Sequence, residues 1–225
     1  MNFSVLQWNV WFKENPDRII KEIKRMDPDV ICGQELIQLN KNGKKVDTAK
    51  YIANKLGYEY FYKEAETWSN REEKDNQGNA IFSRPPIKQT KFVYIQEPKH
   101  NPSDASHEGR VYVEIDDHRK KEVDNLLQII EGKNKGYIFT GDLNSLPGSY
   151  SIEKLKQLKN VAHVGPDYQE NTFANKPFDY HGYKVDNLSL RLDYIYISRD
   201  LKVESVEIVK TNVSDHLPIL VKFNI

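Results

Sequence analysis

Residues 3–35, FSVLQWNVWFKENPDRIIKEIKRMDPDVICGQE, contain the pattern that decides the fold. Apolar and polar residues alternate over the first eight positions, which predicts a strand. Asn15 and Pro16 then supply a helix start, and apolar residues recur behind them at helical spacing. A second proline ends this helix, and residues 30–32 predict a short buried strand that delivers Glu35 at its end. This order of strand, helix and strand predicts a layered α/β protein.

Further strands and helices are predicted along the rest of the chain. Apolar residues at helical spacing predict helices over residues 49–56, 117–131 and 151–158. Strand patterns occur at residues 58–63, 79–83, 88–95, 110–115, 137–140, 192–197, 202–209 and 217–223. The basic residues around 41–45 predict a polar loop. No repeat or linker divides the sequence, and we expect a single domain over residues 1–225.

Composition and charge exclude several classes of protein. A hydrophobic fraction of 38% is too high for wholesale disorder. Lys plus Arg and Asp plus Glu number 33 each, so no net field attracts nucleic acid, although a local basic rim would suffice. Residues 1–12 are too few and too polar for a membrane helix or a signal peptide. The single cysteine, Cys32, excludes an intrachain disulfide and a cysteine zinc site, and we expect a reduced, cytoplasmic protein.

The predicted strands repeatedly end or begin in a carboxylate, an amide or a histidine. These residues are Asn9, Glu35, Asp142 with Asn144, Asp193, and Asp215 with His216. Each alone has an ordinary explanation, because Asp and Asn are favoured in turns. Together they indicate a site, because layered α/β proteins gather their sites at strand ends. Oxygen ligands of this kind select magnesium, manganese or calcium.

Seven short segments follow one another in a specific order along the chain. They are QWNV (7–10), GQE (33–35), GNAIFS (78–83), EGRV (108–111), GDLN (141–144), LDYI (192–195) and SDH (214–216). This ordered set resembles the endonuclease/exonuclease/phosphatase family, over residues 3–223. The resemblance implies a DNase-I-like fold, a four-layer α/β sandwich of two mixed β-sheets packed face to face and flanked by helices. It also implies hydrolysis of a phosphate ester at one end of the sandwich, with Mg²⁺ or Mn²⁺ as cofactor.

The resemblance implies a role for each acidic or amide residue of this set. Glu35 would bind the metal, and Asn9 beside it would contribute an amide oxygen either to the metal or to the phosphate. Asp215 would help to hold the metal. Asp142 would orient or deprotonate the attacking water. Asn144 would hold the water or the phosphate, since strand alternation would point its side chain the same way as that of Asp142.

The remaining candidates would contact the phosphate or the substrate. His216 would contact the scissile phosphate, and Asp193 would hydrogen-bond His216, fix its tautomer and raise its pKa. Asn79 resembles the family's substrate-side amide. Arg110 resembles either a structural arginine or one that contacts the phosphate.

The sequence departs from the family pattern in two places. Members usually carry a further strand, with a second catalytic histidine or a tyrosine, before the helix that begins here at Asp117. Three hypotheses compete: residues are missing from the sequence at this junction, the deletion is genuine, or His118 takes over the function. We favour the first, because the flanking pattern is otherwise intact. In addition, Trp11 stands where DNA-repair members often carry Asp, which leaves a second metal-contacting carboxylate in question.

From these residues we expect a divalent-metal-dependent phosphodiester hydrolase. The expected substrate is DNA, and the expected activity is that of a nuclease or of a DNA-end-processing enzyme similar to tyrosyl-DNA phosphodiesterases. We expect a monomer with no membrane association. The alternative enzyme is a phosphatase or phosphodiesterase acting on a small molecule or a lipid head group, which would suit the zero net charge. The alternative outside enzymes is a catalytically inactive family member that serves as a binding module.

Overall fold

A computed structural model describes residues 2–41, 44–68, 75–93, 117–131, 135–158, 161–164, 170–173, 175–180, 183–185 and 189–224. The helices are α1 (Pro16–Met26), α2 (Thr48–Leu56), α3 (Asp117–Glu131) and α4 (Tyr150–Lys156). The strands are β1 (Asn2–Asn9), β2 (Val30–Lys41), β3 (Lys44–Asp47), β4 (Glu59–Trp68), β5 (Asp75–Ser83), β6 (Ile138–Asp142), β7 (Val161–Val164), β8 (Phe178–Tyr180), β9 (Tyr183–Val185), β10 (Asp193–Ser198), β11 (Val203–Ile208) and β12 (Ile219–Asn224).

Two sheets form the centre of the fold. The larger sheet has the order β11-β12-β1-β2-β5-β4, and β3 pairs with β2 outside this path. It is mixed, because β1 and β2 run parallel while its other pairs run antiparallel. In the smaller sheet the described strands have the order β6-β10-β7 and pair antiparallel. Strands β8 and β9 form a separate pair.

The alternation of side chains along β1 and β10 produces the four layers. Val5 of β1 and Ile195 of β10 share one buried cluster between the two sheets. The next residue of β1, Leu6, points the other way and packs in a cluster with the helices α1 and α2. Tyr194 and Tyr196 of β10 pack in a third cluster with α3 and α4. Each fully buried Val, Ile or Leu stabilises this arrangement by about 1.5–3 kcal/mol, and the predicted four-layer α/β sandwich is confirmed.

Asn15 and Pro16 begin the first helix as predicted, and the second helix has caps of the same local kind. The Asn15 side chain accepts a hydrogen bond from the N–H of Asp17, and Pro16 occupies the first turn of α1. The Asp47 side chain accepts a hydrogen bond from the N–H of Lys50 at the start of α2. Gly57, with φ +72°, ends α2 in the left-handed conformation that glycine favours.

The strands differ from the sequence prediction in three respects. Strand β2 is not short, because it continues to Lys41 and pairs with β3 as a hairpin where a polar loop was predicted. Residues 88–93 form no strand, although one was predicted over 88–95. The short strands β7, β8 and β9 lie in a polar stretch that carries too weak a pattern to predict them. The predicted strand at 110–115, and Arg110 with it, lies outside the described residues.

Within the described ranges, no helix is both long enough and apolar enough to cross a membrane.

Candidate active site

Strand ends from both sheets meet at one end of the sandwich. Asn9 is the last residue of β1, Asp142 is the last residue of β6, and Asp193 is the first residue of β10. Asp142 and Asp193 are direct partners in the register of the smaller sheet. The parallel pairing of β1 with β2 places Asn9 beside Gln34. The sequence pattern predicted this gathering of polar residues.

A β-bulge positions Glu35. The pairs Gly33–Ala80 and Leu36–Gly78 flank an interval in which β2 has two residues and β5 has only one, Asn79. Glu35 has φ +58°, a conformation that is uncommon for a residue other than glycine. Bulges commonly re-aim a side chain next to an active site. Glu35 therefore lies in the middle of a long strand, and not at the strand end that the sequence predicted.

The Asn9 amide joins the carboxylates of Glu35 and Asp142. Its Nδ2 donates to Oε1 of Glu35 at 2.9 Å and to Oδ2 of Asp142 at 3.1 Å. Its Oδ1 accepts a hydrogen bond from the N–H of Trp11 at 3.0 Å, which fixes the orientation of the amide. Burial raises the pKa of Glu35, and the negative charge of Asp142 adds to this effect. Two buried acids thus converge on one amide.

His216 forms a close pair with Asp193. Its Nδ1 lies 2.8 Å from Oδ2 of Asp193, and its Nε2 lies 3.7 Å from Oδ2 of Asp142. Burial lowers the pKa of His216, but the charges of Asp193 and Asp142 outweigh burial and raise it to about 10. Burial raises the pKa of Asp142 to about 6, although the charge of His216 opposes this rise. At neutral pH the ring is therefore an imidazolium that donates from Nδ1 to Asp193.

Ser214 holds the segment that carries Asp215 and His216 against β1. Its hydroxyl donates to the carbonyl of Asn9 at 2.7 Å and accepts from the N–H of His216 at 3.0 Å. The indole N–H of Trp8 donates to the carbonyl of His216 at 3.1 Å. Burial raises the pKa of Asp215 to about 6, with a further contribution from the charge of Glu35. Asp215 thus faces the same group of charges as Glu35.

Three residues with no role predicted from the sequence support Asp193. Thr172 Oγ1 accepts hydrogen bonds from the N–H groups of Leu192 and Asp193, each at 3.1 Å. Arg191 Nε donates to the carbonyl of Asp193 at 2.8 Å, and Gln7 Nε2 lies 3.4 Å from its Oδ1. Gln7 is fully buried, and a glutamine inside an apolar strand was the one signal that could have identified it.

The other predicted residues lie apart from this cluster or at its edge. Asn144 donates its backbone N–H to Oδ1 of Asp142 at 2.9 Å, and its φ is +47°. The prediction that strand alternation points Asn144 the same way as Asp142 is wrong, because β6 ends at Asp142 and Asn144 lies in the loop that follows. Asn79 is exposed on β5, opposite the bulge that contains Glu35. Within the described part of the chain, no hydrogen bond joins the Asn79 side chain to the cluster.

The donor set fits a hard divalent cation. Ligand atoms of Asp142, Asp193 and His216 lie within 4.8 Å of one another. Nδ1 of His216 already engages Asp193, so Nε2 is the ring nitrogen that faces Asp142. Burial first, and neighbouring carboxylates second, raise the pKa values of Glu35, Asp142 and Asp215, and a bound cation would favour their ionised forms. Carboxylate and amide oxygens are the ligands that magnesium and manganese prefer.

The fold and the site together define a class of protein. A four-layer sandwich with buried carboxylates, an amide and an Asp–His pair at one end is a DNase-I-like phosphoesterase fold. The sequence model of the Endonuclease/Exonuclease/phosphatase family matches residues 6–216, and the chain belongs to this family. Its members are generally hydrolytic phosphoesterases that use a divalent metal.

Solved structures share this fold over nearly the whole chain. A family protein from Leptotrichia buccalis is 21% identical, with a TM-score of 0.71 and coverage of 99% of this chain and 100% of that one. The human Nocturnin catalytic domain with bound sulfate is 18% identical, with a TM-score of 0.66 and coverage of 99% and 93%. The mannosyl-6-phosphatase Bt3783 of Bacteroides thetaiotaomicron is 16% identical, with a TM-score of 0.64 and coverage of 99% and 100%. No curated protein sequence matches significantly.

Proposed function

We propose that this protein is a divalent-metal-dependent phosphodiester hydrolase and that its substrate is DNA. One observation carries the proposal: the Asn9 amide bridges the carboxylates of Glu35 and Asp142 while the His216 ring lies 3.7 Å from Asp142. Hydrolysis of a phosphate ester needs neutralisation of charge, an oriented water and a stabilised leaving group. This cluster offers groups for neutralising charge and for orienting the water.

The proposed cofactor is Mg²⁺ or Mn²⁺, with Glu35, Asn9 and Asp215 as its protein ligands. Asn9 would bind it after its amide turns, because Nδ2 and not Oδ1 faces Glu35 and Asp142. When bound, the cation would supply positive charge that stabilises the phosphate in the transition state. Because three buried acids converge at this position, the same charge would also offset their mutual repulsion.

The proposed roles of the other residues follow from their charges. Asp142 orients the attacking water and accepts its proton as the new oxygen–phosphorus bond forms. The bond to the leaving oxygen breaks, and this oxygen takes up a proton from the solvent. His216, an imidazolium held by Asp193, donates a hydrogen bond from Nε2 to a phosphate oxygen. Asn144 follows Asp142 directly in the loop and contacts the water or the phosphate. Asn79, on the exposed face of β5, contacts the substrate.

A phosphatase that acts on a small molecule is the second candidate. The zero net charge of the chain gives no overall attraction for a polyanion. One protein with this fold is named a mannosyl-6-phosphatase, and its chain is covered completely. A catalytically inactive binding module is the third reading, and it predicts no turnover under any condition.

Hydrolysis of a substrate panel tests the proposal. The panel contains single-stranded DNA, duplex DNA, a 5′-tyrosyl oligonucleotide, a simple phosphodiester and mannose 6-phosphate, each with magnesium, manganese or chelator. We expect metal-dependent cleavage of DNA that Asp142→Asn reduces by at least about 100-fold. The matched control is Glu207→Gln, an exposed acid on the edge strand β11, which should retain full activity.

The panel also separates the candidates. Cleavage of mannose 6-phosphate alone would replace DNA by a small phosphomonoester as the substrate. Salt provides a second criterion, because a nuclease that contacts several phosphates loses affinity steeply as salt rises. Folded protein without turnover on any substrate would contradict the enzyme proposal and favour the binding module.

A further inference from the structure

Trp11 has a backbone conformation that tryptophan rarely adopts. Its φ is +60°, in the left-handed region where the side chain of an L-residue is crowded by its own backbone. Its N–H donates to Oδ1 of Asn9 at 3.0 Å, and its carbonyl accepts from the N–H of Glu14 at 2.9 Å. Glycine would relieve this strain. Strained residues other than glycine cluster at functional sites.

Trp11 joins the edge of the proposed catalytic cluster through its backbone. Its backbone contacts Asn9, and the N–H of the next residue, Phe12, lies 3.4 Å from Oε2 of Glu35. Both aromatic residues are partly exposed. A substrate whose phosphate occupies the cluster would therefore place its neighbouring groups beside these rings.

Two lysines lie near the Trp11 ring, and the charge of one of them is balanced by an acid. The Nζ of Lys176 lies 5.1 Å from the centroid of the Trp11 ring, and the Nζ of Lys13 lies 5.9 Å from it. Lys176 is fixed, because it forms an ion pair with Glu14 at 2.9 Å and also contacts the carbonyl of Val213. Lys13 is exposed, so its ammonium group is able to move toward a ligand. Lys176 thus contacts the Trp11 ring from a distant segment of the chain, while the ammonium group of Lys13 stays accessible to a ligand.

We infer that Trp11 is a specificity-determining residue that stacks on the nucleobase next to the scissile phosphate. Lys13 then contacts the adjoining phosphate. The inference rests on the proposed function and names what the enzyme recognises beside the reacting group. An aromatic ring with a neighbouring ammonium group matches a nucleotide, which presents a π-face and an anion together. A sugar phosphate presents no π-face.

Binding of matched oligonucleotides tests the inference without requiring turnover. Two fluorescein-labelled single strands differ only at one central position, which carries either a base or an abasic tetrahydrofuran residue. Their affinities are measured by anisotropy with magnesium on Asp142→Asn, alone and combined with Trp11→Gly or Trp11→Phe. We expect about tenfold tighter binding of the strand with the base, a ratio near one with Trp11→Gly, and a largely retained ratio with Trp11→Phe. The control Tyr60→Ala changes an exposed aromatic of β4 and should leave the ratio unchanged.

Thermal unfolding separates recognition from packing. Because glycine tolerates φ +60°, Trp11→Gly should unfold at the same or a higher temperature if the ring serves binding. A clear loss of stability in Trp11→Gly with an unchanged base-to-abasic ratio would overturn the inference. Equal affinity of Asp142→Asn, with Trp11 intact, for the base-containing and the abasic strand would overturn it as well. Metal-dependent hydrolysis of both strands at equal rates would leave the proposed function standing.

Discussion

His216 and Asp193 are the residues whose contact does most to define the site. The 2.8 Å contact at Nδ1 leaves Nε2 directed toward Asp142. Asp193→Asn keeps the shape of this side chain but removes its charge and allows the wrong tautomer of the ring. We expect kcat/KM to fall by about 100-fold or more while the fold is retained. Steady-state kinetics beside circular dichroism would check this, and activity above one tenth of the original would contradict the assigned role.

We expect a divalent metal to stabilise the folded protein, because several acids lie close together at the site. Burial raises the pKa of Asp142 and of Asp215 to about 6, so both are ionised at pH 8, and each of them repels Glu35. Binding of Mg²⁺ to the folded state alone should raise the melting temperature by mass action. Glu35→Gln should reduce this rise, whereas Glu22→Gln on the surface of α1 should not. A metal-induced shift of the same size in Glu35→Gln would exclude Glu35 as a ligand.

At the residue scale, the sequence predicted the acids and amides of the site but not their support. Asn9, Asp142, Asp193 and His216 stand out because such residues follow or precede apolar strands. Ser214 and Thr172 serve through hydrogen bonds to distant segments, and the Ser214 partner Asn9 lies 205 positions away. No local pattern encodes such a partner. The strained conformation of Glu35 depends in the same way on the register of β2 against β5.

The hairpin of β4 and β5 depends on one glycine. A Cβ atom at Gly78 would lie 2.3 Å from the carbonyl oxygen of Lys63 and 2.7 Å from the ring of Tyr62. In Gly78→Ala the new methyl group would push the Lys63 carbonyl and the Tyr62 ring away, close to the register shift between β4 and β5. We expect this variant to lower the free energy of unfolding by about 2–3 kcal/mol.

Urea denaturation would measure the effect of Gly78→Ala. The comparison is Gly57→Ala, where a Cβ meets nothing within 4 Å and only the left-handed conformation at φ +72° is strained. That variant should lose only about 1 kcal/mol. An equal loss in both variants would show that β4 and β5 move apart easily around Gly78.

At the element scale, helices were more predictable than strands. The caps of α1 and α2 are local, since Asn15 and Asp47 each bond to a backbone group within three residues. The length of β2 is not local, because its second half is a strand only through pairing with β3 and β5. Polar residues around 41–45 carry no apolar pattern that would reveal this. A sequence pattern therefore misses a strand such as the second half of β2, which forms through hydrogen bonding to its neighbours and not through burial of an apolar face.

Stability of the whole molecule should depend on His163. This residue of β7 packs edge-on against Tyr194 and Tyr196, with ring centroids 6.0 Å and 5.4 Å away. Burial lowers its pKa from 6.5 to about 4, and the charges of Arg191 and Lys156 add to this effect. Below pH 6.5 His163 is protonated in the unfolded chain but stays neutral in the folded protein. Stability is therefore lost as the pH falls from 6.5 toward 4.

The His163→Phe variant isolates this contribution. Because phenylalanine does not titrate, the free energy of unfolding should fall less in the variant than in the original protein between pH 7.5 and pH 5. The expected difference is about 2 kcal/mol. Denaturant melts at the two pH values would measure it, and parallel curves for both proteins would show that His163 is protonated while folded.

The arrangement of the molecule as a whole was predictable because alternation is strong in its central strands. Val5 and Leu6 of β1 already point to opposite layers, and Tyr194 and Ile195 of β10 do the same. The angle and distance at which the two sheets meet depend on how these side chains interlock. That packing is cooperative and lies beyond a sequence pattern.

The site is assembled from both sheets, with Asn9 and Glu35 on one and Asp142 and Asp193 on the other. A small shift of one sheet against the other would therefore lower the catalytic rate. Circular dichroism would not detect such a shift, because the strands themselves stay formed. A cavity between the sheets, as in Ile195→Ala, could leave every strand intact and still separate the Asn9 amide from Asp142. In a library of core variants sorted by activity, the survivors would be those that preserve this alignment, and soluble but inactive variants would be common.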